Sequence, residues 1–262
     1  MILNNSNLDI FVCSHKQYES PVHNKVYKTL SVGNNTELYG ENIIRDDTGD
    51  NKSDMNGFYS ELTGTYWIWK NYDIKDYVGI CHYRRYFDFL DNLPNNLEEY
   101  DIILPTPLNF GGTIYQQYAA CHNKEDIKLI YDIMINKYNV PVEVGNEVFN
   151  NQTYMHCWNM FIINKAIFND YCEFVFGVLD EYLKYHNISN INDIYSMIEK
   201  QKNAYLKSYY PNNEIKYQSR LGGFFGERLL NVYIKWKGLK VKTFNIIQTE
   251  SKYKEVKTND FL

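Results

Sequence analysis

The chain has 262 residues, 44% of them hydrophobic, and a formal net charge of −5. That size suits one large domain or two small ones, with a core that needs no staples; no linker or sharp boundary interrupts the chain, so a single domain, 1–262, is expected, and the acidic balance argues against broad nucleic-acid binding while leaving room for a local basic pocket. No apolar run nears the roughly 20 residues of a membrane-spanning helix, the start Met1–Asp9 lacks a secretory signal, and five cysteines without CxxC spacing read as reduced thiols rather than a zinc site, so the expected location is the cytoplasm.

Leu8–Cys13 (LDIFVC) reads as a buried opening strand that ends in the polar turn Ser14-His15-Lys16. Residues 33–57, rich in Gly, Asn and Asp, predict a long loop with little regular structure. Met55–Tyr72 places Leu62, Tyr66, Ile68 and Trp69 at helical spacing and predicts a helix, weakened by Gly64. Tyr77–His82 (YVGICH) and Tyr100–Leu104 (YDIIL) predict short buried strands, the second stopped by Pro105 and Pro107. Ile114–Tyr138 predicts two helices with a break near Asn123. Met155–Ile163 (MHCWNMFII) predicts one strand, Lys165–His186 a helix, and Asp193–Tyr205 a further helix. Gly222–Trp236 opens on a flexible glycine pair and continues as an apolar-faced helix; Val241–Ile247 is a late strand, and the tail from Thr249 is polar. Strands and helices alternate, which predicts a mixed α/β domain with a largely parallel sheet.

Ligands of open α/β sheets bind beyond the carboxyl ends of the strands. Two polar clusters fall there: His15 and Lys16 after the first strand, and His82-Tyr83-Arg84-Arg85 after YVGIC. Paired guanidinium groups match phosphate oxygens in a bidentate fork, although either Arg also reads as a surface ion pair with a stem over apolar surface. A third cluster joins Arg220 to Gly222-Gly223-Phe224-Phe225-Gly226-Glu227-Arg228. Its glycines permit close backbone approach, its helix start suits an anion, and Glu227 reads either as a base or as a residue favouring the helix dipole. Asn56 and Glu61 lie on the first predicted helix, as ligand-binding or merely solvated groups. His156 and Asn159 interrupt an apolar strand and must meet a partner or line a cavity. There is no Walker A loop, GxGxxG, HExxH or GxSxG, and no DxD pair for a divalent metal; Asp46-Asp47 is adjacent, not spaced.

The run ELTGTYWIWKN (Glu61–Asn71) followed by YVGICHYRRYF (Tyr77–Phe87) resembles a family of bacterial capsular and exopolysaccharide glycosyltransferases first catalogued as a domain of unknown function. DIILP (Asp101–Pro105), Tyr118 with His122, NMFI (Asn159–Ile162) and RLGGFFGERLL (Arg220–Leu230) continue the resemblance, in order, from about residue 8 to about residue 248. It implies a GT-A-like, Rossmann-like fold and a nucleotide-sugar transferase of cell-surface polysaccharide synthesis, galactofuranosyltransferase-like, with UDP-galactofuranose as the preferred donor. No cofactor is assigned. Without DxD, Arg84 and Arg85, with His82, would meet the diphosphate in place of a metal, though a divalent metal stays open. His15, Lys16, Asn56, Glu61, Arg220 and Arg228 would serve the donor, Glu227 would be the base, and His156 and Asn159 would line the acceptor side. The acceptor would be a lipid-linked or oligosaccharide glycan. The segment 233–240 (YIKWKGLK) reads either as a solvated helix end or as a peripheral contact with the inner membrane face. The rival readings are a non-catalytic nucleotide-sugar or glycan-binding module and a sugar-phosphate transferase.

Overall fold

The computed structural model describes residues 4, 6–34, 38, 40, 42–205, 214–249 and 254–256. Strand β1 (Leu8–Ser14) is buried along its whole length. Its side chains alternate between two cores, as a period of two dictates. Phe11 and Cys13 enter one, and Leu8, Ile10 and Val12 the other. On one side β1 pairs in parallel with β2 (Tyr27–Ser31), which pairs in parallel with the short β3 (Ile44–Arg45). On the other side it pairs in parallel with β4 (Tyr77–His82), so that Val12 opposes Cys81 and Cys13 opposes His82. Beyond β4 lie β9 (Phe161–Asn164), antiparallel to both neighbours, then β6 (Ile102–Pro105), and at the edge β10 (Val241–Phe244), parallel to β6. β5 (Arg85–Phe87) folds back from β4 and pairs with β11 (Ile246–Gln248), which pairs with β12 (Lys254–Val256). A separate ribbon joins β7 (Leu108–Asn109) to β8 (Tyr154–Met155). The sheet is therefore mixed and mainly parallel.

The helices are α1 (Asn56–Tyr59), α2 (Leu62–Asn71), α3 (Ile114–Cys121), α4 (Lys124–Tyr138), α5 (Val142–Asn146), α6 (Lys165–Tyr185), α7 (Ile191–Lys200), α8 (Lys202–Tyr205), α9 (Ile215–Gln218) and α10 (Leu221–Lys237). The apolar faces of α2, α3, α4, α6 and α10 share the core that holds Phe11 and Cys13. The other face of the sheet is covered by residues such as Val22, Val26, Phe89 and Leu97 from connecting segments. The break predicted near Asn123 is a helix boundary, and the Asn123 side chain caps α4 by accepting from the Glu125 N–H at 3.2 Å. No disulfide joins the five cysteines.

Several expectations need correction. The helix predicted over Met55–Tyr72 breaks at Ser60, which has φ 53° and ψ −134°. Asn56 Nδ2 stabilises the break by donating to the Ser60 carbonyl (2.9 Å) and to Thr63 Oγ1 (3.0 Å). The strand predicted over Met155–Ile163 is two strands, β8 and β9, parted by left-handed residues Trp158 (φ 71°) and Asn159 (φ 50°). Each left-handed non-glycine residue costs about 1–2 kcal/mol, and fixed side chains hold this pair in place. The loop predicted over 33–57 contains β3 and the start of α1, and β2 was not foreseen. The glycine pair at Gly222 and Gly223 is helical rather than flexible. A Cβ on Gly222 would lie 2.7 Å from the Phe58 ring, so glycine there allows α10 to sit close against α1. The opening Met1–Leu3 and most of the predicted polar tail beyond Thr249 lie outside the described residues.

Candidate active site

Beyond the carboxyl ends of β1, β2 and β4 lies a cavity of about 560 Å³. Cys13 near the end of β1 and His15 just past it reach the cavity, as do Val32, Gly33 and Asn34 after β2, and His82 at the end of β4 with Tyr83 and Arg84 after it. The broken helix supplies Asn56, Ser60 and Glu61. Ile191 and Tyr195 of α7, Lys216 of α9 and Arg220 at the head of α10 close the far side. Under the floor, buried Asp46 accepts from the Gly33 N–H (2.9 Å) and from Ser53 Oγ (2.8 Å). Burial raises its carboxyl above the usual range although these donors pull it down. The left-handed Gly33 (φ 82°) is thereby fixed at the cavity wall.

Three cationic side chains, Arg84, Lys216 and Arg220, reach the cavity. Arg220 Nε donates to Ser60 Oγ at 2.9 Å, and its Nη2 lies 3.9 Å from Glu61 Oε2. The other Glu61 oxygen accepts from Asn159 Nδ2 at 2.7 Å. Burial raises the Glu61 carboxyl, but the His82 and Arg220 charges and the Asn159 amide outweigh it and hold the group below its ordinary value. Tyr83 gathers three cationic or titratable groups. His15 packs edge-on at 5.5 Å, Lys16 lies 5.2 Å from the ring centre, and Arg84 lies 5.8 Å from it.

The left-handed turn at Trp158–Asn159 ties the clusters together. Trp158 donates its N–H to Glu227 Oε1 at 2.6 Å, and its carbonyl lies 2.6 Å from His82 Nε2. Arg85 stands 5.5 Å over the Trp158 ring. Asn159, fully buried, donates to Glu61 and to the Gly223 carbonyl. Glu227 Oε2 faces Arg228 Nη1 at 3.3 Å, and burial raises the Glu227 carboxyl against the Arg228 charge. Arg228 is itself buried, donating to the Phe224 carbonyl (2.7 Å) and to Gln117, with its charge over the Tyr118 ring. His156 is fixed by the Pro105 carbonyl (2.7 Å) and by Asn231 (3.0 Å).

Of the residues singled out from sequence, His15, Asn56, Glu61, His82, Arg84 and Arg220 line the cavity. Lys16, Arg85, His156, Asn159, Glu227 and Arg228 do not. Arg85 departs because it starts β5 and turns towards Trp158. Glu227 is engaged by Trp158 and Arg228 and is not among the residues that line the cavity. Ser60, Tyr195 and Lys216 were missed, and no sequence motif marks them. Asp46 and Asp47 drew notice only as a failed DxD. The carboxylates of the cavity are Asp54 and Glu61, and both Glu61 oxygens already face Asn159 and Arg220. Among the described residues no three His, Cys, Asp or Glu side chains gather as a metal set.

A mixed, mainly parallel sheet flanked by helices, with a ligand-sized cavity beyond its parallel strands, defines a GT-A-like α/β protein. Residues 9–199 match the model of the family described as a domain of unknown function (DUF4422), and the chain belongs to that family. The chain is also similar to the apo structure of the WbbM bifunctional glycosyltransferase, with a TM-score of 0.70 and 26% identity. That similarity covers 94% of this chain and 46% of WbbM, so the chain spans about half the length of that protein. No curated protein matches the chain. No helix among the described residues is long and apolar enough to cross a membrane.

Proposed function

We propose that this chain is a glycosyltransferase that takes a nucleotide-diphosphate sugar and passes the sugar to a glycan acceptor. One observation carries the reading: Arg84, Lys216 and Arg220 line a cavity at the carboxyl ends of β1, β2 and β4 in a fold similar to that of WbbM. The diphosphate lies against Arg84 and Arg220. Leaving of a nucleoside diphosphate builds negative charge on the β-phosphate, and fixed cations that meet it lower the barrier. Arg220 is pre-positioned by Ser60 and held near Glu61, and a bound diphosphate competes for it. The nucleoside lies along His15 and the Val32–Asn34 wall, and Glu61 and Asn56 hold sugar hydroxyl groups. The preferred donor is UDP-galactofuranose, the acceptor is a lipid-linked or oligosaccharide glycan of capsular or other cell-surface polysaccharide, and the protein works at the cytoplasmic side of the membrane.

The test is UDP release from a panel of UDP-sugars, with EDTA or with Mn²⁺. Release from UDP-galactofuranose in EDTA supports the reading and its donor. Release that needs Mn²⁺ keeps the transferase but removes the guanidinium-for-metal mechanism. Silence with every nucleotide sugar contradicts the reading.

A further inference from the structure

His82 stands at the end of β4 with its ring lining the cavity. Its Nε2 lies 2.6 Å from the Trp158 carbonyl, which can only accept. The neutral ring must therefore carry its proton on Nε2, and Nδ1 is left with the bare lone pair. The carbonyl that imposes this tautomer belongs to a left-handed residue, and Glu227 fixes that residue through its N–H at 2.6 Å. The next residue, Asn159, holds Glu61. One turn thus orients both His82 and Glu61, and Glu227 stands behind it.

We propose that His82 Nδ1 accepts the proton of the attacking hydroxyl, and that Glu227 is a positioning residue acting through the Trp158–Asn159 turn. The inference rests on the glycosyltransferase reading and names the base of the same site. In this step the acceptor O–H gives its proton to Nδ1 while its oxygen bonds to the anomeric carbon. The bond from that carbon to the β-phosphate oxygen breaks, and its electron pair leaves on the nucleoside diphosphate, against Arg84 and Arg220. A single displacement of this kind inverts the anomeric centre. Glu61 lies close enough to act on the imidazolium that forms.

The groups around the ring set its proton affinity. Burial holds His82 below the ordinary imidazole value; Glu61 and the Trp158 carbonyl pull it up, while Arg85 and Arg84 push it down. Cys13 opposes it on β1, and His15, Asp54, Lys216 and Arg220 line the same cavity. The neutral ring is the active form, so turnover rises with pH through a value below about 6.5 and is flat above it.

The experiment measures UDP release from UDP-galactofuranose across pH, together with UDP affinity, for the wild type, His82→Gln, Glu227→Ala and Glu227→Gln. Gln at position 82 retains a donor for the Trp158 carbonyl but has no basic nitrogen. We expect His82→Gln to lose about a hundredfold or more in turnover, to lose the acid limb, and to bind UDP within about threefold of the wild type. Glu227→Ala loses turnover more than UDP affinity, and Glu227→Gln, which still accepts from Trp158, restores most of it. Turnover by His82→Gln close to wild type overturns the proposal. So does UDP affinity that falls in step with turnover, because His82 is then a phosphate ligand. Loss in Glu227→Gln as deep as in His82→Gln makes Glu227 the base. A wild-type protein inert towards every UDP-sugar defeats the underlying reading itself, and is recognised by the absence of any activity to compare.

Discussion

Gly226→Ala tests how tightly α10 is seated against the helix break that shapes the cavity. A Cβ at Gly226 would lie 2.6 Å from Leu62 Cδ1 and 2.9 Å from Asn159 Oδ1. Leu62 is fully buried, so its methyl can retreat only by pushing into the core. Asn159 cannot swing away without breaking its bonds to Glu61 (2.7 Å) and to the Gly223 carbonyl (3.1 Å). Ala in a helix interior gains about 1 kcal/mol over Gly. Forcing an extra methyl into a filled site costs about 1–3 kcal/mol. The clash wins, and a net loss of about 1 kcal/mol is expected in denaturant unfolding, seen as a lower midpoint at unchanged slope. Affinity for the UDP-sugar falls as well, because the Asn159–Glu61 contact is displaced and Glu61 is the residue assigned to the sugar. Leu62→Ala makes room for the methyl, so the double variant loses less than the sum of the two single changes. A Gly226→Ala protein as stable as the wild type, with strictly additive effects, refutes the close seating.

Two further outcomes are expected. Asp126 on α4 is buried and accepts from Tyr182 Oη at 2.9 Å; burial pushes its carboxyl up to about 6. A carboxyl raised in the folded state favours folding when protonated, so its contribution is fullest below about pH 4 and is lost as pH rises through about 6, on the order of 3 kcal/mol in all. Thermal melts should therefore find Asp126→Asn more stable than the wild type at pH 8, with the gain vanishing towards pH 4. Arg228→Met leaves the Glu227 carboxylate without its buried partner and should cost about 3–5 kcal/mol. In denaturant unfolding, Glu227→Gln added to it should recover part of that loss.

The parts of the fold visible in sequence are those where burial is continuous. LDIFVC, YVGICH and IIL are apolar on both faces because helices cover one side of the sheet and connecting segments the other. The long helix α6 shows its apolar stripe for the same reason. The two breaks that build the site left no trace. Ser60 and Trp158–Asn159 hold positive φ without glycine, and besides the local Asn56 amide at Ser60 they are held by distant residues, Arg220 and Glu227. Strand β2 escaped notice because only Leu30 and Ser31 of its five residues are buried. His82 and Arg84 were recognisable from their place after a strand. Glu227 stood out as an acid beside glycines and an arginine, a pattern that reads the same whether or not the side chain lines the cavity, and its contact with Trp158 was not legible. Lys216 and Tyr195 are brought to the cavity by tertiary packing alone.

The most direct test of the diphosphate cradle is calorimetric titration with UDP and with UMP in EDTA, on the wild type, Arg84→Gln and Arg220→Gln. A charge-assisted hydrogen bond is worth about 1.5–3 kcal/mol, roughly ten- to hundredfold in affinity. The account predicts that UDP binds at least about tenfold more tightly than UMP, and that each substitution removes most of that advantage while leaving UMP nearly unaffected. Equal affinity for UDP and UMP, or UDP binding indifferent to both arginines, would contradict it.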